Sequence, residues 1–246
     1  MTKKIAYVTG GMGGIGTSIC QRLAKGGFTV VAGCGPNSPR KDRWLAEQKA
    51  LGFDFIASEG NVSDWDSTKA AFDKVKAEVG PISVLVNNAG ITKDGVFRKM
   101  SAEDWKAVID TNLNSLFFVT KQVIDGMMDQ GWGRIVNISS VNGQRGQFGQ
   151  TNYSTAKAGM HGFTMALAQE VAAKGVTVNT VSPGYIATEM VRAIREDVLE
   201  KIVATVPVKR LGTPDEIASI VGWLASDDAG FTTGANFACN GGNHMT

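Results

Sequence analysis

Short apolar runs alternate along this chain with longer stretches whose apolar residues recur every three or four positions. Ile5-Ala6-Tyr7-Val8 is the first such run, closed by Thr9-Gly10-Gly11. A continuous apolar run bounded by turn residues predicts a strand buried on both faces. Ile15, Ile19 and Leu23 follow at helical spacing, and residues 28–32 predict the next strand. The alternation continues. Helical spacing over about 39–51 leads to a strand at 53–57, and a helix over 65–79 leads to a strand at 84–86. A helix starts near Ser101, where Ser101-Ala102-Glu103-Asp104 has the form of a capping signal. A long helix covers roughly 112–128, and strand 134–138 runs straight into Ser139-Ser140. A helix at 152–173, a strand at 176–181, helical pieces at 189–204 and 214–226, and a short strand at 236–238 complete the pattern. Strands alternating with helices imply an α/β fold with one doubly wound parallel sheet of about seven strands and helices on both faces. No break in composition marks a second domain, so residues 1–246 are expected to form one.

The loop after the first strand reads Thr-Gly-Gly-Met-Gly-Gly-Ile-Gly over residues 9–16. Two glycine registers fit it, Gly11-x-Gly13-x-x-Gly16 and Gly10-x-x-x-Gly14-x-Gly16, with Met12 and Ile15 between. Such a loop, between a strand and a helix, aims a helix N-terminus at a pyrophosphate, which predicts a dinucleotide site. A plain glycine-rich turn is the alternative. NAD sites place an acid after the second strand to hold the ribose 2′-hydroxyl. Here no acid occurs before Asp42; the strand ends Gly33-Cys34-Gly35 and continues Pro36-Asn37-Ser38-Pro39-Arg40-Lys41. Gly35 leaves space, Asn37 and Ser38 can donate hydrogen bonds, and Arg40 can pair a 2′-phosphate. The expected cofactor is therefore NADPH/NADP+, with NADH as runner-up.

Tyr153 and Lys157 are four apart, one helical turn. A lysine ammonium so placed is expected to stabilise a phenolate and lower the tyrosine pKa, fitting it for proton transfer. Ser140 lies 13 positions earlier and can aim a hydroxyl at the same spot. Taken alone the spacing is common, and an ordinary amphipathic helix carries it equally well.

Composition removes several classes. The net charge of +2, with basic residues scattered, gives no footprint for nucleic acid or an anionic membrane. No apolar run approaches a membrane span, and the N-terminus lacks the form of a signal peptide. Cys20, Cys34 and Cys239 have no metal-type spacing and read as reduced thiols of a cytoplasmic protein. With two histidines, His161 and His244, no histidine-rich metal site is expected.

The motifs together resemble the short-chain dehydrogenases/reductases from end to end, a family with a Rossmann-type fold. The resemblance rests on Thr9-Gly10-x-x-x-Gly14-x-Gly16, Asn87-Asn88-Ala89-Gly90, Asn112, Ser140, Tyr153 and Lys157, and Pro183-Gly184-x-x-x-Thr188, in that order. It implies that Asn88, Ala89 and Gly90 lie along the cofactor. Pro183, Gly184, Ile186 and Thr188 are implied near the nicotinamide and its phosphates. Lys157 would also hold the nicotinamide ribose, and Asn112 a water in a proton relay. Gly60-Asn61-Val62 would meet the adenine, although Asn61 stands where most relatives carry Asp. Within the family the chain is similar to the acetoacetyl-CoA reductases of polyhydroxybutyrate-forming bacteria. That similarity rests on residues 33–40, Val141-Asn142-Gly143-Gln144, residues 146–152 and Arg210-Leu211-Gly212.

What the resemblance implies is reduction of a 3-oxoacyl-CoA to the (3R)-3-hydroxyacyl-CoA by a homotetramer. Tyr153 would protonate the ketone oxygen while Ser140 donates a hydrogen bond to it. A 3-oxoacyl-acyl-carrier-protein reductase is the neighbouring alternative, and a non-catalytic NADP(H) sensor a distant one. On the substrate side, Gln147, Phe148 and Gln150 sit in the loop before the catalytic helix, and Asp94 is expected at the pocket rim. Gly184 lies beside the acyl chain in this reading, and Tyr185, at the start of a mobile lid over about 185–205, closes over that chain or simply packs. Arg195, and less so Arg192, are candidates for the coenzyme A phosphates. A polar surface loop and a solvated helix face remain the alternatives for these last residues.

Overall fold

The computed structural model describes residues 4–192 and 194–245, without the side chains of Met190 and Arg192. Along the central strands the side chains alternate between two faces, and both faces carry apolar side chains. In β1 (Ile5–Val8), Ala6 and Val8 join one core and Ile5 and Tyr7 the other. In β4 (Ile82–Asn87), Val84 and Val86 face the first core and Ile82 and Leu85 the second. A sheet apolar on both faces needs a layer of helices on each, and the chain supplies them between strands.

The order is β1, α1 (Gly14–Lys25), β2 (Thr29–Cys34), α2 (Lys41–Ala50), β3 (Ile56–Glu59), α3 (Trp65–Glu78), β4, α4 (Ala102–Ile109), α5 (Ser115–Lys121) and α6 (Ile124–Asp129). There follow β5 (Gly133–Ile138), α7 (Val141–Arg145), α8 (Thr151–Val171), β6 (Val176–Pro183), α9 (Glu189–Arg192), α10 (Glu196–Thr205), α11 (Pro214–Leu224) and β7 (Asn236–Cys239). Among the described residues the strands form one seven-stranded sheet, β3-β2-β1-β4-β5-β6-β7, with every pairing parallel. Ile19 and Leu23 of α1, Trp44 of α2 and Ile217 and Val221 of α11 cover one face. Phe72 of α3, Val119 of α5, Met127 of α6 and Val171 of α8 cover the other. The expected α/β class, strand number and two-sided helical cover are all present. The winding direction reverses between β1 and β4, so their carboxyl ends open a crevice there.

Three expectations need correction. The third strand begins at Ile56, because Phe55 stacks on Trp44 and Phe53 on Phe55 instead of pairing with β2. The long helix expected over 112–128 is broken. Residues 110–114 form a π turn and a kink follows at Val123, where φ is −120°. The Ser115 hydroxyl donates to the Thr111 carbonyl at 2.6 Å, a back-bond that loosens helical pairing. Residues 141–145, to which the pattern assigns no helix, form the short helix α7, capped by Ser140.

A buried polar ladder ties the central strands to α8. The Asn87 amide donates to Asn137 Oδ1 at 2.9 Å, and the Asn137 amide donates to Thr164 Oγ1 at 2.8 Å. Thr164 and Thr180 share a hydrogen bond of 2.7 Å. Removing Asn137 strands one buried donor and one buried acceptor. Asn137→Ala is therefore expected to lower the unfolding free energy by about 1–3 kcal/mol. Urea denaturation should show an earlier midpoint with an unchanged slope.

Candidate active site

The crevice at the carboxyl ends of the strands is a cleft of about 770 Å³. Its first wall is the glycine loop. Gly10 has φ of +61°, and a Cβ there would press on Ala89 Cα at 3.1 Å. A Cβ on Gly16 would lie 2.3 Å from the Gly10 carbonyl oxygen, so only glycine lets the helix start this close to the strand. α1 begins at Gly14 with no side-chain cap and no acid in its first turn. Its first N–H groups and positive dipole end are thus left for an anion. Met12, Gly13, Gly14, Ile15 and Gly16 all line the cleft.

The second wall is the end of β4. Thr9 Oγ1 accepts from the backbone N–H groups of Asn88 and Ala89 at 2.9 and 3.0 Å. The Asn88 amide returns bonds to the carbonyls of Thr9 and Gly10. This lock fixes Asn88, Ala89 and Gly90 along the cleft. Behind Gly90 lies Asn112, fully buried in the π turn. Its amide donates to the Ile91 carbonyl at 2.9 Å and accepts from the Ile91 N–H at 2.8 Å. A Cβ on Gly90 would lie 3.4 Å from Asn112 Oδ1 and 3.5 Å from Lys157 Nζ, so these groups are neighbours.

β5 and α8 supply the floor. Ser140 caps α7, its Oγ accepting from the Asn142 N–H at 3.1 Å. Tyr153 and Lys157 lie one turn apart on α8, with Lys157 Nζ 5.6 Å from the Tyr153 ring centroid. Lys157 is 3 % exposed; its ammonium donates to the Ile138 carbonyl at 2.7 Å and approaches Met160 Sδ at 3.9 Å. Burial pushes the lysine down to about 7. Tyr153 is pushed up, chiefly by burial; the Ser140 hydroxyl opposes this and the Asp94 charge adds to it. The expectation that Lys157 lowers the tyrosine pKa is thus corrected: desolvation outweighs it, and the proton rests on the phenol.

Pro183, Gly184, Ile186 and Thr188 complete the cleft beyond β6. Of the residues after β2, Gly35 and Arg40 line it, while Asn37 (φ +52°) is exposed and Ser38 uses its carbonyl on the Lys41 N–H. The Gly60 backbone packs on Ala71, Asn61 Oδ1 accepts from Ser63 and Val62 packs on the second core, so none of the three lines it. Gln150 donates to Asp94 at 2.9 Å and accepts from the Asn142 amide at 2.9 Å, which pins the loop before α8 to α7; neither Asp94 nor Gln150 is among the residues that line the cleft. Gln147 and Phe148 project into solvent. Tyr185 lines a separate cavity of about 220 Å³ with Val206, Val208 and Arg210. Arg195 is exposed and paired with Asp197. The Arg192 candidate lies outside the described side chains.

Sequence reasoning passed over Cys34, Ile91, Thr92, Ile138, Ser139, Glu189 and Val191, all of which line the cleft. Adjacency to Ser140 and to Gly90 marks four of them, and Cys34 and Glu189 adjoin Gly35 and Thr188. Among the described residues no helix is long and apolar enough to cross a membrane.

A cleft with an uncapped helix N-terminus, close-approach glycines and a tyrosine–lysine floor fits a nicotinamide dinucleotide, which Asn88, Gly90 and Lys157 could hold. The chain is of the dinucleotide-dependent oxidoreductase class. The short chain dehydrogenase family model matches residues 4–199. The chain is 80 % identical to an acetoacetyl-CoA reductase of Cupriavidus necator, over 100 % of both chains. It is 59 % identical to nodulation protein G of Azospirillum brasilense, over 98 % of each. It is 56 % identical to an acetoacetyl-CoA reductase of Allochromatium vinosum, over 98 % of this chain and 99 % of the relative. The chain belongs to the short-chain dehydrogenases/reductases, as its motifs imply.

The depressed lysine has a measurable consequence. Between about pH 7 and its unfolded value of 10.5, Lys157 holds a proton only in the unfolded chain. Raising pH through that window therefore stabilises the fold. Between pH 7 and 9 the cofactor-free wild type is expected to gain Tm relative to Lys157→Met. Parallel pH profiles for the two would contradict this account.

Proposed function

We propose that this chain is an acetoacetyl-CoA reductase, reducing a 3-oxoacyl-CoA to the (3R)-3-hydroxyacyl-CoA with NADPH. The observation that carries the reading is the convergence of Ser140, Tyr153 and Lys157 on the floor of a dinucleotide-sized cleft. The name borne by the relative at 80 % identity over its whole length supports the substrate class. In this reading the cytoplasmic enzyme supplies polyhydroxybutyrate synthesis. Its 246 residues form one domain with a lid over about 185–205, and it works as a homotetramer.

A bound reduced nicotinamide supplies hydride to the substrate's C3 carbonyl carbon. The protein's part is proton delivery and orientation. Ser140 Oγ already accepts from the Asn142 N–H, so its own hydrogen is left to donate to the carbonyl oxygen. Tyr153, protonated in this environment, gives its phenolic proton to that oxygen as negative charge develops. Lys157 spends one donor on Ile138 and one weakly on Met160 Sδ. When Lys157 is protonated, its third N–H is left for a ribose hydroxyl. A proton bound to Lys157 also holds a positive charge beside the tyrosine as it turns to phenolate. Asn112 holds the wall behind Gly90, where the relay back to solvent would run. Asp94 and Gln150, locked to each other, form the rim against which the acyl group rests.

NADPH is favoured over NADH because Cys34 stands where an acid would hold the 2′-hydroxyl, and Arg40 lines the same end of the cleft.

Tyr153→Phe is expected to cut kcat by roughly 10²–10⁴-fold while leaving cofactor Kd nearly unchanged. Acetoacetyl-CoA reduction assayed with NADPH and with NADH, beside an acyl-carrier-protein thioester, tests the rest. Faster turnover of the carrier-protein thioester would move the assignment to fatty-acid synthesis. Absence of turnover with every ketone would leave a cofactor-binding protein.

A further inference from the structure

The basic stretch that opens α2 supplies three cations, and each has a carboxylate partner. Lys41 pairs with Glu59 at 3.1 Å and Arg43 with Glu47 at 2.7 Å. Arg40 reaches across to Glu189 on α9, with Nη2 3.1 Å from Oε2. Arg40 and Glu189 both line the dinucleotide cleft, whereas Glu47 and Glu59 do not. This pair therefore spans the cleft, joining the segment after β2 to the segment after β6. The Glu189 charge is also felt by Arg43, so the carboxylate stands in the positive field of both guanidinium groups.

We propose that Glu189 is a cofactor-selectivity residue, whose carboxylate opposes the 2′-phosphate and holds the preference for NADPH over NADH below what Arg40 alone would give. The proposal rests on the reading of Arg40 as the 2′-phosphate ligand. A phosphomonoester carries about −1.5 to −2 charge at neutral pH. To reach Arg40 it either displaces Glu189, which forfeits the existing ion pair, or binds beside it, which brings like charges together. Both penalties have the same sign. A ribose 2′-hydroxyl pays neither, and Glu189 can accept a hydrogen bond from it. The two side chains thus divide the cofactors between them, Arg40 favouring the phosphate and Glu189 the hydroxyl. Because Arg40 and Glu189 are 65 % and 88 % exposed, the effect has the size of a surface ion pair, about two- to fivefold in affinity.

The test is binding of NADPH and NADH to the full chain, read by nicotinamide fluorescence, for wild type, Glu189→Gln, Arg40→Ala and the double variant. Glu189→Gln is expected to tighten NADPH two- to fivefold and to leave NADH unchanged or weaker. Its gain should shrink in the Arg40→Ala background and at high salt. Equal shifts for both cofactors, or weaker NADPH binding in Glu189→Gln, would overturn the proposal while Arg40→Ala still lowers the NADPH-to-NADH preference. If Arg40→Ala leaves that preference unchanged, Arg40 does not hold the phosphate, and the proposal falls together with that reading.

Discussion

A lysine ammonium buried against a strand-end carbonyl is the constraint around which the site is arranged. Lys157 Nζ donates to the Ile138 carbonyl, and the Ser139 hydroxyl donates back to the Lys157 carbonyl at 2.8 Å. These reciprocal bonds clasp the middle of α8 to the end of β5. They fix Tyr153 one turn earlier and set Ser140 one residue past Ser139. Gly143 is part of the same clasp, since a Cβ there would lie 2.7 Å from the Lys157 carbonyl carbon. The position leaves Lys157 without a carboxylate, so burial strips its hold on the proton. A charge at that point is therefore worth most when a developing anion arrives beside it, which suits a site meant to stabilise a transition state.

The rest of the cleft follows from the parallel sheet. Its strands end together, and the reversal between β1 and β4 opens the crevice at that edge. The walls are held by backbone-directed bonds: Thr9 with Asn88 and Ala89, and Asn112 with Ile91. The loop before α8 is held by side chains, through Asp94, Gln150 and Asn142.

Much of the core site was legible because its chemistry is local in sequence. Gly10 to Gly16 announce a close approach of helix to strand, and Tyr153 and Lys157 share a helix face by spacing alone. The π turn at Asn112 was not legible. Nothing in Asn112-Leu113-Asn114 separates it from an ordinary helix until Ile91, 21 residues earlier, claims its amide. The short helix α7 escaped because its cap, Ser140, read as a site residue; it serves as both. Tyr185 and Arg195 read as substrate contacts from their place after Pro183-Gly184. The chain folds one over a separate cavity and leaves the other paired with Asp197.

The sequence by itself determined the class of fold, the glycine loop and the placing of Tyr153 and Lys157 on one helix face, because periodicity and short spacing survive without a structure. Only the tertiary structure decided which protonation each group favours, since desolvation depends on what surrounds Tyr153 and Lys157 on every side. It likewise decided that Glu189 faces Arg40 across 149 residues of chain. Contacts at that separation are set by the winding of the sheet and by no local pattern.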